Sequence, residues 1–234
     1  AFTILIVNAS LFSQVTQEWA ARYNGPVNNN DYSYSVKSDS SGNVYIAGYS
    51  QEGISNYADF LLIKYGPAGN LLWIRKYNGT ASDDDIATAL TLDNKGNVYV
   101  TGSSIRLGSA NDYVTIKYNS NGDILWLKTY NGIGNENDFP TAIEIDHVGN
   151  VYVTGYSVGV NNNDDCVTIK YDSAGIEKWV SVYNGPGNSQ DRTYDLEIDP
   201  SLNIYVTGQC YDVISGFDYI TIKYSINGNE LWSK

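Results

Sequence analysis

GNVYVTGYS, residues 149–157, reads as an ordinary buried strand closed by a turn at each end, but the chain spells it four times. It is GNVYIAGYS from Gly42, GNVYVTGSS from Gly96, GNVYVTGYS from Gly149 and LNIYVTGQC from Leu202, with starts 54, 53 and 53 residues apart. Laid over one another, the copies align over their whole length. The second is the plainest: IATALTLD (86–93), the turn NKG, NVYVTG (97–102), a variable loop, DYVTIKY (112–118), the turn NSNG, and DILWLKTYNG (123–132). Val, Ile, Thr, Tyr and Trp suit pleated strands, and the intervening Gly, Asn, Asp and Ser suit tight turns. With no sustained 3.6-residue apolar period, the chain is all-β.

Each copy therefore supplies four short antiparallel strands, called A to D. In strand C, Val114, Ile116 and Tyr118 share one face, and Tyr113, Thr115 and Lys117 the other. Strand B is apolar almost throughout, as befits a strand covered on both sides. A sheet of this size cannot bury both faces alone and must stack on copies of itself, which makes a four-strand period of this length the signature of β-propeller blades. The Trp column (Trp19, Trp73, Trp126, Trp179, Trp232) fits a packed core better than a carbohydrate-stacking platform.

The expected units are blades over 31–79, 85–132, 138–185 and 191–234. They are preceded by 15–25, which matches strand D alone and reads as the outer strand of a preceding blade. That is one strand too many for a closed four-bladed ring and far too few for five blades, so the arc is expected to be part of a larger ring. Its blade faces would then meet further blades or domains of a longer chain, or self-associate.

The motifs D-x-x-G-N-V-Y-V-T-G (93–102), D-Y-x-T-I-K-Y (112–118), N-G-x-x-x-W (121–126) and Y-N-G (130–132) resemble the bacterial SBBP, or seven-bladed β-propeller, repeat. The resemblance covers about 15–234. It implies an exported protein, commonly a module of a longer surface or secreted polypeptide, and supplies no activity and no catalytic residues.

The formal net charge of −12, with 14 Lys and Arg, argues against nucleic acid and anionic membranes as partners. The opening AFTILIVNASLFSQ resembles the apolar core and cleavage region of a secretory signal peptide, so 1–14 is expected to be a signal remnant and the protein secreted or at the cell surface. The stretch is too short to span a bilayer. Cys166 and Cys210 replace a sister aromatic and a sister Ser. They are expected on neighbouring blades roughly 11 Å apart, beyond disulfide reach.

Connections alternate between two rims. The A–B and C–D turns are short and nearly constant, whereas the B–C and D–A loops are longer and varied, which is where binding evolves on a rigid scaffold. That second rim carries two acidic columns, Asp31, Asp85, Asp138 and Asp191 opening strand A, and Asp59, Asp112, Asp165 and Asp218 opening strand C. Carboxylates are hard ligands suited to Ca²⁺, but a residue present in every blade is more economically a loop cap. With strand B between them, the columns should stand roughly 10 Å apart in one sheet. Residues that occur once, Arg106, Arg192 and Tyr211, complete the candidate ligand-binding set.

His147, the single histidine, lies on the opposite rim with no nucleophile beside it. Asn78-Gly79-Thr80 fits a glycosylation sequon. No catalytic or metal-binding residue is assigned. The reading is a non-enzymatic scaffold that binds a protein or carbohydrate through the varied rim. The alternatives are a secreted hydrolase or lyase with an acidic site there, and a passive spacer.

Overall fold

The computed structural model describes residues 16–52, 57–159 and 161–234, so the apolar opening at 1–14 lies outside the described residues. All regular structure there is β, in four four-stranded antiparallel sheets whose strands follow chain order. The first holds β1 (Asp31–Ser38), β2 (Val44–Gln51), β3 (Ala58–Tyr65) and β4 (Leu71–Tyr77). The second holds β5 (Asp85–Leu92), β6 (Val98–Ile105), β7 (Asn111–Tyr118) and β8 (Ile124–Tyr130). The third holds β9 (Asp138–Ile145), β10 (Val151–Val158), β11 (Asp164–Tyr171) and β12 (Glu177–Tyr183). The fourth holds β13 (Asp191–Ile198), β14 (Ile204–Asp212), β15 (Gly216–Tyr224) and β16 (Glu230–Ser233). The A strands β1, β5, β9 and β13 neighbour one another in order, and each sheet packs on the next. This is the blade arrangement of a propeller, left as an open arc.

The alternation of faces decides what packs where. Tyr45, Ala47, Phe60 and Leu62 of the first sheet are buried against Val98, Val100, Val114, Ile116 and Tyr118 of the second. Tyr99 and Tyr113 repeat the contact against the third sheet, and Tyr152 against the fourth. At about 25 cal/mol/Å² of apolar surface, these three junctions supply the main driving force for assembly.

Each A–B turn is tied by the first Asp of D-x-x-G-N, which the fourth copy reads D-P-S-L-N with Leu202 in the left-handed Gly position. In the third sheet, Asp146 accepts from the Val148 and Asn150 N–H groups at 2.9 Å, from Asn150 Nδ2 at 2.7 Å and from Tyr152 Oη at 3.1 Å. Asp39, Asp93 and Asp199 accept the same four bonds in their own turns. The Gly of the T-G pair is equally dictated. Strand A bulges between Pro140 and Ala142, and a Cβ on Gly155 would fall 2.1 Å from the Phe139 carbonyl oxygen.

Two expectations are modified. Residues 16–25 form no strand, because among the described residues no strand C lies beside them to complete a ladder. Trp19 nonetheless takes a strand-D position. A Cβ on Gly69 would meet its ring at 2.8 Å, as one on Gly175 would meet Trp126 at 2.8 Å. The Trp column is also less a core than a set of staples. Trp73, Trp126 and Trp179 are half-buried, and each donates its indole N–H to a carbonyl in the next sheet, Ser120, Ser173 and Ile226, at 3.2, 3.2 and 3.0 Å.

Candidate functional site: the rim of the B–C and D–A loops

The D–A loops are built from Y-N-G. The Gly carbonyl accepts from the N–H three residues on, closing a turn whose last residue is left-handed: Asn28, Ser82, Asn135 and Asn188 have φ between 43° and 53°. Asn tolerates that conformation better than most side chains, which explains its recurrence. The Gly N–H donates to the first Asp of the following strand A. Gly25 reaches Asp31 at 2.9 Å, Gly79 reaches Asp85 at 2.6 Å, Gly132 reaches Asp138 at 2.7 Å and Gly185 reaches Asp191 at 2.5 Å. Only Gly fits, because a Cβ on Gly132 would lie 2.9 Å from Asp138 Oδ1 and hard against Ser157 Oγ.

The strand-A aspartates are therefore loop caps. Asp85, Asp138 and Asp191 are fully buried, and one oxygen of Asp31, Asp85 and Asp138 has no partner. Burial pushes the carboxyls of Asp85 and Asp138 up to about 6, against the opposing pull of Ser104 and Ser157 and of the Gly N–H groups.

The strand-C column behaves unevenly. Asp112 is buried, accepts from Ser109 Oγ at 3.0 Å and pairs with Arg106 at 3.5 Å; its carboxyl is raised by burial. Asp59 is raised by burial, Asp218 is exposed and accepts from Ser215 Oγ, and Asp165 reaches about 6 through burial and then through Asp191 and Asp164. Electrostatic neighbours lie across the junctions: Asp59 acts on Asp85, Asp112 on Asp138 and Asp191 on Asp165. The within-sheet spacing read from the sequence misses this pairing between sheets.

The singly occurring residues are also held. Arg106 donates to Thr129 Oγ1 at 3.1 Å besides its ion pair. Arg192 grips Asp164 of the previous sheet at 2.5–2.6 Å and covers the Tyr156 ring at 4.7 Å. Tyr211 donates its N–H to Asp191 Oδ1 at 3.2 Å and meets Phe217 edge-on at 5.2 Å.

Further side chains stitch one sheet's loops to the next. Asp84 Oδ1 accepts from Ala58 N–H at 2.8 Å, and Asn137 Oδ1 accepts from Asn111 Nδ2 at 2.9 Å. Sequence reasoning passed over this polar residue just before each strand-A Asp, although Asn30, Asp84, Asn137 and Gln190 repeat it. The loop tips are left over. Leu107, Ile133, Val213 and Ile214 are 79%, 81%, 74% and 93% exposed on this rim.

Among the described residues no group of three or more His, Cys, Asp or Glu could hold a metal ion. Cys166 and Cys210 are free and buried. Burial and the nearby Asp191 push both thiols up, that of Cys210 to about 12, so neither is a ready thiolate. His147 lies in an A–B turn on the other rim.

With its sheets, their order and their junctions set out, the chain is an all-β repeat protein of propeller type. More particularly, residues 73–106, from the Trp73 staple to Arg106, match the SBBP β-propeller repeat, the family that the motifs resemble. No curated protein matches the sequence. Among solved structures, one provisionally described as a gluconolactonase aligns at 10% identity and a TM-score of 0.43, over 86% of this chain and 76% of that one. A eukaryotic initiation factor aligns at 8% identity and a TM-score of 0.38, over 86% of this chain and 55% of that one. At these values neither likeness carries an argument about function.

Proposed function

We propose that this is an exported, non-enzymatic scaffold that binds a protein or carbohydrate partner through the B–C and D–A rim. The observation that carries the reading is the set of apolar tips, Leu107, Ile133, Val213 and Ile214. They come from three loops and stand in solvent on a rim where Arg106 and Arg192 are held in ion pairs and Asp85, Asp138 and Asp191 cap their loops. Single exposed apolar residues need no explanation, but several gathered on one varied rim suit a contact surface. The strand-A carboxylates, buried beneath their loops, favour capping over acid–base chemistry. Export rests on the apolar opening of the chain, on the net charge of −12 and on the SBBP resemblance.

The test is a glycan array together with crosslinking capture from the producing cell's surface proteins. The chain is compared with a variant carrying Ser at 107, 133, 213 and 214. Loss of one defined partner by the variant, with unchanged melting, supports the reading; identical profiles would leave the spacer role. A partner lost only on Asp165→Asn, accompanied by turnover of a glycoside, would favour the hydrolase.

A further inference from the structure

The chain builds the Y-N-G turn four times on one rim, and one copy differs from its sisters by a missing contact. In three copies the Asn side chain is tied down. Asn24, Asn131 and Asn184 donate through Nδ2 to the side-chain oxygens of Asn28, Asn135 and Asn188 at 2.6, 2.7 and 2.6 Å. In the second copy the facing residue is Ser82, which takes the same left-handed backbone, φ 52°, but offers no amide oxygen. The Asn78 carboxamide is exposed and has no hydrogen-bond partner among the described residues.

The backbone beside it is set as in the other copies. Gly79 N–H donates to one oxygen of the buried Asp85 at 2.6 Å, and the other oxygen of that carboxylate is orphaned. Burial raises the Asp85 carboxyl to about 6, so it is ionised at neutral pH and able to take a proton. An amide N–H bond lies in the plane of its peptide. The contact with Asp85 therefore leaves the face of the Gly79 nitrogen open, and glycine has no side chain to obstruct close approach.

We propose that Asn78-Gly79 is a self-modifying site. The Gly79 nitrogen attacks Asn78 Cγ and gives its proton to the Asp85 carboxylate. The Cγ–Nδ2 bond breaks, the proton passes to the departing nitrogen, and ammonia leaves a succinimide behind. Water then opens the ring to aspartate or isoaspartate. In the sister copies the bond to the facing Asn keeps the carboxamide from turning onto its own backbone. The imide carries no N–H, so while it lasts the D–A loop between the first two sheets loses its bond to Asp85. The opened product leaves a new negative charge on the varied rim.

Peptide mapping by mass spectrometry tests this on the full chain, held at pH 7.5 and sampled over weeks, with the three sister turns as internal controls. Conversion is expected to run several-fold faster at Asn78 than at Asn24, Asn131 or Asn184. Ser82→Asn restores the facing amide and should bring Asn78 down to the sister rate. Asp85→Asn still accepts from Gly79 N–H but cannot take its proton, and should slow Asn78 several-fold with the sister sites unmoved. Equal rates at the four sites overturn the inference, and so does a parent rate kept by Ser82→Asn or by Asp85→Asn.

Discussion

The two rims use aspartate in opposite ways. On the A–B rim, Asp39, Asp93, Asp146 and Asp199 each collect four donors. In the first three, burial acts to raise the carboxyl, but the combined hydrogen bonds outweigh it and hold the group below its ordinary range. In Asp199 the Asn203 bonds lead in the same direction. On the B–C and D–A rim, Asp85 and Asp138 keep one donor from the Gly N–H and one orphaned oxygen in a buried junction, and rise to about 6. In the second and third sheets the same residue type is thus a satisfied anion at one end and an under-satisfied cap with a raised carboxyl at the other. The saturated rim is constant in sequence, and the strained rim is the one that varies.

The contrast can be broken most forcefully at Asp146. Asp146→Ala orphans four donors and should cost about 2–4 kcal/mol in denaturant unfolding. A loss no larger than that of a surface substitution would remove the distinction between the rims. Asp138→Asn should do the reverse at pH 7.5, stabilising by about 1 kcal/mol, because the amide still accepts from Gly132 N–H without burying charge.

The pH profile follows from the same signs. A lowered carboxyl contributes stability above its ordinary value of 3.8 that is lost as pH falls through the folded value. A raised one contributes stability that is fully present below 3.8 and lost as pH rises through about 6. Thermal stability should therefore be highest near pH 4, fall as pH rises to about 6 and level off above it, and the double variant Asp85→Asn, Asp138→Asn should flatten that falling limb. A flat profile in the parent would argue that solvent reaches the junctions.

Arg192→Gln breaks a half-exposed ion pair across the last junction and should cost under about 1 kcal/mol in the same unfolding assay. Chelator comes last. Adding EDTA should leave the melting temperature where it was, and a shift of several degrees would return calcium to the acidic columns.

How far the sequence reached follows from the same division. The sheet count, strand order and faces were legible because GNVYVTG, DYVTIKY and the Trp turn repeat with fixed spacing, and packing obeys the repeat. Capping by Asp85 and its sisters was legible for the same reason. The pairing of Asp112 with Asp138 was not, because it is made between sheets, and strand spacing speaks only within one. The missing ladder at 16–25 was illegible too, since E-W-A-A-R-Y-N-G carries the strand-D pattern whatever stands beside it. The exposed tips follow no period, so the sequence put their loops on one rim while only the structure shows Leu107, Ile133, Val213 and Ile214 standing out in solvent.

The Lys and Trp staples end on a main-chain carbonyl, and that has a consequence for how such a chain diversifies. The residue supplying the oxygen is Ser at 120, Ser at 173 and Ile at 226, yet the bonds from Lys64, Lys117 and Lys170 stay within 3.1–3.3 Å and the Trp bonds within 3.0–3.2 Å. Because the seam between neighbours ignores the identity of that side chain, whole units can be duplicated, deleted or exchanged by recombination without refitting it. Selection is then free to act on the loops alone.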